Sequence, residues 1–409
     1  MSRDTRRIRE GLATLAMAVA LTLSAGQAKA AGITTLASFD YNNGALPEDS
    51  LVNVNGTLYG TTYTGGVNDD GTLFSWSASG GLSTPANFGG TNGSFSEAGL
   101  LAVNGTLYGT TTMGSGSPGG TIFSWSASNG LSTLVNFNGT NGSTPSAGLT
   151  EMNGVLYGTT AGLTGGNGEI FSYANGSLTT LATFNGANGS GPRGRLLAVN
   201  GTLYGTTFMG GTPGYGTIFS YSPSNGLQTL VNFDQTNGSG PQSALIDVNG
   251  TFYGTTYEGG ASLGGTLFSW SPSNGLQTVV AFNGANNGAY APIGSLLDVN
   301  GTLYGTTYWG GAQNNVTGQT EGTLFSWSSS NGLTILANFT DGANPRAGLL
   351  DVGGTLYGTT LGGGVNGVGT IFSYTPAGQS VPEPGSLPLL LAGLGGLGAL
   401  YLRRRLHLS

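Results

Sequence analysis

Carboxylates are the only side chains in the body of this 409-residue sequence that could drive catalysis. Between residues 31 and 380 there are 15 Asp and Glu, three cations (Arg193, Arg195 and Arg346), and no Lys, His or Cys. A serine nucleophile would lack its usual base, and thiol catalysis, disulfides and His- or Cys-ligated metals are excluded. Paired carboxylates, which could serve a glycosidase, remain. Glu151, Asp247, Asp298 and Asp351 occupy one equivalent position of a repeat, where other copies carry Asn53, Ala102 and Ala198. Such groups could bind a hard cation such as calcium, but hydrated carboxylates beside a turn are the favoured reading, as for Asp69-Asp70. No catalytic residue, metal site or cofactor is assigned.

Aromatic residues are the better candidates for binding. The position following each Gly-Thr-Thr is Tyr63, Thr112, Ala161, Phe208, Tyr257, Tyr308 or Leu361, and Trp309 adjoins Tyr308. Tyr63, Phe208, Tyr257, Tyr308 and Trp309 are therefore nominated, because aromatic faces at a loop mouth stack on sugar rings and suit peptides. Packing between neighbouring sheets is the competing reading. The body's formal charge of −12 argues against nucleic acid and anionic lipid as partners.

These positions are carried by a tandem repeat. Leu-Tyr-Gly-Thr-Thr, with Phe for Leu once, places its tyrosine at Tyr59, Tyr108, Tyr157, Tyr204, Tyr253, Tyr304 and Tyr357. In the second copy, Leu100-Leu101-Ala102-Val103, the Asn104-Gly105 turn and the run from Thr106 to Thr111 read as a hairpin. Thr121-Ile122-Phe123-Ser124-Trp125 reads as a third strand, and Asn129-Gly130 turns into a fourth. A period near 50 residues with four short strands predicts an all-β, seven-bladed β-propeller of four-stranded antiparallel blades. Tyr59 and its equivalents, with Trp76, Trp125, Trp270 and Trp327, repeat regularly and read as core.

Both the chain ends and the spacing support a ring. A fourth-strand motif, Thr35-Leu36-Ala37-Ser38-Phe39, precedes the first full blade, while the last copy stops after Thr370-Ile371-Phe372-Ser373-Tyr374. Pairing these runs would close the last blade with the N-terminal strand and leave no open sheet edge. The Asn-Gly turns share one uniform face and the variable loops the other, where binding is expected. The longest variable loop, at 312–321, follows Trp309.

The ends themselves read as addresses. Residues 1–30 form a signal peptide, with Arg3, Arg6, Arg7 and Arg9, an apolar core and the Ala28-Lys29-Ala30 cleavage site. The propeller is assigned to 31–378 and a sorting and transmembrane tail to 379–409. In that tail, Val381-Pro382-Glu383-Pro384, an apolar run at 387–402 and Arg403-Arg404-Arg405 resemble a PEP-CTERM sorting signal. The resemblance implies an exosortase-type partner that cleaves near Pro382, Glu383 and Pro384 in a Gram-negative host making exopolysaccharide. It also implies transient membrane anchoring, with Arg403, Arg404 and Arg405 held in the cytoplasm.

The body has its own resemblances. Pro-Arg-x-x-Leu-Leu-x-Val-Asn-Gly-x-Leu-Tyr at 192–204 resembles kelch repeats, although Phe stands where a late strand-four tryptophan would be. Leu-Tyr-Gly-Thr-Thr followed by Gly-Gly and Gly-Thr-Leu-Phe is similar to the GloVer-type tandem repeat of exported bacterial proteins, over residues 33–375. Arg193, Arg195 and Arg346 evoke the arginine trio of sialidases. That reading is set aside, because Arg193 and Arg346 fill the same Pro-Arg slot in two blades and no Asp-box accompanies them. The expectation is a surface or matrix protein that binds exopolysaccharide or a surface protein without catalysis. A carboxylate-dependent polysaccharide-processing enzyme is the alternative.

Overall fold

Each repeat folds as its own small sheet because glycine turns interrupt its apolar runs every few residues. The computed structural model describes residues 32–376 except 115–118, 163–165, 284–287 and 312–319. The signal peptide, the sorting tail and most of the 312–321 loop therefore lie outside the described residues. Ala31–Tyr374 forms one unit, built from seven four-stranded antiparallel sheets with no helix among the described residues. Blade two runs Leu101–Val103, Thr106–Thr111, Thr121–Ser126 and Gly130–Asn136, and these strands pair in chain order.

The first strand of each blade is innermost. Val52–Val54 lies beside both Leu101–Val103 and Leu350–Val352, which closes the inner circle between blades two, one and seven. The last blade is completed by Ile33–Ser38, which pairs with Thr370–Tyr374 from Ile33↔Tyr374 to Ser38↔Thr370. The Phe39 amide then donates to Gly369 O at 3.0 Å, the bond that Phe88 makes to Gly71 in blade one.

Turn chemistry follows the residues. Asn104-Gly105 and its equivalents have both residues at positive φ, as a type I′ hairpin requires. The second hairpin of most blades differs from the Asn-Gly reading. Only the glycine is left-handed there, after a three-residue connection such as 127–129. Blade three uses a two-residue Asn175-Gly176 turn instead, which explains why its spacing between strand-three and strand-four phenylalanines is one residue short.

The repeat motif is a packing device. A Cβ on Gly60 would meet the Phe74 ring at 2.5 Å, and every equivalent glycine faces the same ring of its own blade. That ring in turn receives the edge of the previous blade's fourth-strand phenylalanine, as with Phe39–Phe74 at 4.9 Å and Phe88–Phe123 at 5.0 Å. Seven such pairs run around the ring, one at each interface. Each contributes about 0.5–1.5 kcal/mol beyond its buried area. The repeated Tyr and Trp pack across the same interfaces, Tyr59 on Trp125 and Tyr357 on Trp76. They therefore belong to the packing between blades.

Candidate functional site

A single left-handed residue in each blade delivers side chains to the channel mouth. Leu46, Phe95, Thr144, Ala291 and Asn344 all have φ between 56° and 58°, and Gly191 and Gly240 fill the slot in blades four and five. Five non-glycine residues in this region are uncommon and locally strained. Their carbonyls are held by the amide of the residue after Gly-Thr-Thr, for example Tyr63 to Leu46 at 3.0 Å and Tyr308 to Ala291 at 2.9 Å. The nominated aromatic position and the segment entering the inner strand are thus joined around the same rim.

Two residues beyond each left-handed residue comes the mouth. Its seven occupants are Glu48, Glu97, Ser146, Arg193, Gln242, Ile293 and Arg346, all lining one cavity of about 370 Å³. That is the small end of the ~300–1,000 Å³ typical of ligand pockets. Asp49 and Arg195 also line it. Every cation of the 31–380 body, Arg193, Arg195 and Arg346, therefore converges on this cavity, together with three of its carboxylates.

The charges divide into a braced floor and an open mouth. Arg195 is hemmed in by protein and donates to Gly99 O at 3.0 Å and Leu100 O at 2.9 Å. Asp49 accepts from the Gly99 amide at 2.6 Å, so the two charges hold Gly99 by its N–H and its carbonyl. Glycine is needed opposite them: a Cβ on Gly148 would lie 2.7 Å from Arg195 Nε. At the mouth, Arg346 Nη1 contacts Glu48 Oε2 at 2.7 Å, with the side chains 32% and 10% exposed. Arg193 lies over the Phe208 ring at 4.4 Å and donates one long bond, 3.3 Å, to Gln242 Oε1.

Burial sets the protonation of the acids. Desolvation pushes Glu48 up to about 7 despite Arg346, with Glu97 and Asp49 adding repulsion. Burial likewise raises Glu97 against the pull of Arg346 and Arg193. Burial also raises Tyr63 and Tyr308, and the fields of Glu48 and Arg346 reach both rings. Those influences place both tyrosines beside the charged mouth.

Of the nominated residues, Tyr63, Phe208, Tyr257 and Tyr308 are all half-buried at this rim position. Tyr63 packs on Phe95 at 5.1 Å. Trp309 turns elsewhere. It pairs with Tyr290 across a short ladder, stacks on it at 6.5 Å, and touches Tyr308 edge-on at 4.7 Å. Like the other four nominated aromatics, it does not line the cavity itself. The exposed large apolar side chains Tyr41, Val67, Met113, Met209, Leu263, Tyr290 and Val365 all sit on loop-face connections.

The strand-one carboxylates lie beside turns. Asp247, Asp298 and Asp351 accept from the amides of Gly250, Gly301 and Gly354 at 2.7, 2.9 and 2.8 Å, and Glu151 caps Gly154 likewise. None lines the cavity, and among the described residues no three Asp, Glu, His or Cys are grouped to hold a metal. Sequence reasoning missed Glu48 and Glu97. The available signal was register, since both fill the slot that Arg193 and Arg346 fill in blades four and seven.

The comparisons agree with this architecture. The Gloeobacter/Verrucomicrobia repeat matches residues 17–207, 161–340 and 291–383, and the PEP-CTERM protein-sorting motif matches 380–405. No curated protein matches the chain. Among solved structures, a streptogramin B lyase aligns at 15% identity and TM-score 0.57, covering 83% of this chain and 96% of that one. A 6-phosphogluconolactonase described as putative, from Bacteroides uniformis, aligns at 14% identity and TM-score 0.49, covering 78% and 96%. The lyase likeness shows the fold alone. The sorting motif marks an exported protein processed by an exosortase at the cell envelope. No helix among the described residues is long and apolar enough to cross a membrane, and the 387–402 run lies outside them. The chain belongs to the Gloeobacter/Verrucomicrobia repeat family, as a seven-bladed propeller with the sorting signal of an exported protein.

Proposed function

We propose that this propeller is a non-catalytic binding module of the surface or extracellular matrix of a Gram-negative bacterium. It holds exopolysaccharide at the loop-face mouth of its channel. One observation carries the reading: a body with only three cations directs all of them to one cavity, with Phe208 against Arg193 and Tyr63 and Tyr308 within the field of Glu48 and Arg346. Aromatic faces stack on the C–H faces of sugars, while charged and amide groups select their substituents. Trp309 and Tyr290 provide a further shelf beside Tyr308. A glycan array with the exported protein tests this reading. Capture of glycans that is lost when Tyr257 and Tyr308 are both changed to Ala supports it, and capture of none refutes it.

Glu48 favours a second reading. A carboxyl pushed up to about 7, beside a second raised one at Glu97, resembles the protonated acid of a glycosidase. Release of reducing sugar from bound polymer, abolished by Glu48→Gln, would replace the binding reading with hydrolysis.

A further inference from the structure

We infer that the mouth recognises an acidic sugar, taking its carboxylate on Arg193 and its ring over blades five and six. This rests on the glycan reading above and names the class of glycan. Apart from Glu97, the other charges at the cavity already have hydrogen-bonded partners. Asp49 is engaged by the Gly99 and Ser50 amides, Arg195 by two carbonyls, and Arg346 by Glu48. Arg193 differs. It is exposed at the mouth, and its polar contact with Gln242 uses one long bond of the five N–H donors a guanidinium carries. Phe208 packs against the guanidinium, whose Cζ lies 4.4 Å from the ring centroid, and a guanidinium's planar fork suits two parallel bonds to a carboxylate.

The neighbouring surface suits the rest of such a ligand. From blade four to blade six the mouth slot reads Arg193, Gln242, Ile293, and the position after Gly-Thr-Thr reads Phe208, Tyr257, Tyr308. A cation, an amide and an aliphatic side chain beside three aromatics match the charge, hydroxyls and C–H face of a uronic acid. Ser146, on the other flank of Arg193, has a buried hydroxyl oxygen with no protein partner. Glu97 and Glu48 also act on Arg193, so a ligand carboxylate competes with them for it, and burial raises the pKa of both acids. The acidic outer surface would repel a polyanion everywhere else, so productive contact is confined to this spot.

Three polymers serve as probes, titrated against the exported protein: polygalacturonate, its fully methyl-esterified form, and polyglutamate. Polygalacturonate is expected to bind at least tenfold tighter than either of the others. Arg193→Gln should remove that preference and Arg193→Lys should restore part of it, with melting temperature unchanged in both. Equal binding of the acid and its ester, or indifference to Arg193→Gln, overturns the charge assignment and leaves glycan binding standing. Equal binding of polyglutamate overturns the saccharide assignment. If the wild type binds none of the three, the acidic-sugar inference fails, while the glycan array still decides the broader reading. Should Arg193→Gln fail to fold, Gln242→Ala is read against the same three polymers, and an unchanged preference overturns the inference.

Discussion

Replacing Phe39 by Ala probes the seam that makes a ring out of this chain. Phe39 is completely buried and shares a cluster with Leu51, Leu58, Phe74 and Ile371. Its amide donates to Gly369 at 3.0 Å, and its carbonyl accepts from Asn366 Nδ2 at 2.9 Å. Truncating such a ring costs about 3–5 kcal/mol through lost transfer energy and a residual cavity. Phe233 is its match inside a continuous blade, equally buried, bonded to Gly216 at 3.0 Å and edge-on to Phe268 at 5.2 Å. Urea unfolding should therefore give similar losses for both variants. Only Phe39→Ala should also loosen Ile33–Ser38, because that strand is joined to its blade without a hairpin. Amide exchange in Thr370–Tyr374 should then accelerate in Phe39→Ala and not in Phe233→Ala. Deleting residues 33–39 should expose the same edge and cause aggregation or a much lower melting temperature. A deletion that stays monomeric with unchanged melting, or a Phe39→Ala cost below about 1 kcal/mol, would refute the closure.

Three further outcomes follow from the channel and the tail. Glu48 binds its proton more tightly folded, at about 7, than at its ordinary 4.5, so its stabilising contribution is full below 4.5 and gone above about 7. That amounts to about 3 kcal/mol at most. The groups facing it are Arg346, Glu97, Asp49, Arg193, Tyr63 and Tyr308. Glu48→Gln should flatten the fall in urea stability between pH 4.5 and 7.5, and an unchanged slope would show that Glu48 does not titrate there. Gly148→Ala should press on Arg195 and cost about 1–3 kcal/mol by overpacking, with a crystal structure showing the guanidinium displaced. Unperturbed stability would mean the floor is loose. Changing Pro382, Glu383 and Pro384 together while keeping 387–402 should leave the tail uncleaved by mass spectrometry. An intact tail on mature wild-type protein would contradict processing.

The fold was largely legible because its packing rules are local and repeat. Tyr-Gly-Thr-Thr recurs since each glycine must let a strand-three phenylalanine lie against it, and the Phe39 motif before blade one announced the closing strand. The nominated aromatics stood out for the opposite reason: one position varies within an otherwise constant motif. The charged mouth was not. Glu48 follows Pro47 and Arg346 follows Pro345, but they lie 298 residues apart and meet only because blade seven closes on blade one. Glu97 follows Ser96 instead of proline, which hides the shared slot. The depth of Arg195 depends on Gly99 and Gly148 in other blades, and the stacking of Trp309 on Tyr290 depends on a ladder between two loops.

The two faces of the ring can be compared in a single binding experiment. Arg193→Gln alters the loop-face mouth, whereas Asp298→Asn alters an exposed turn cap on the opposite face, bonded to the Gly301 amide. Dissociation constants of the exported protein for its host's own exopolysaccharide would be measured for the wild type and both variants. A loss of at least tenfold for Arg193→Gln, with Asp298→Asn matching the wild type, is the expected result. Equal affinities for all three proteins, or a loss confined to Asp298→Asn, would contradict binding at the channel mouth.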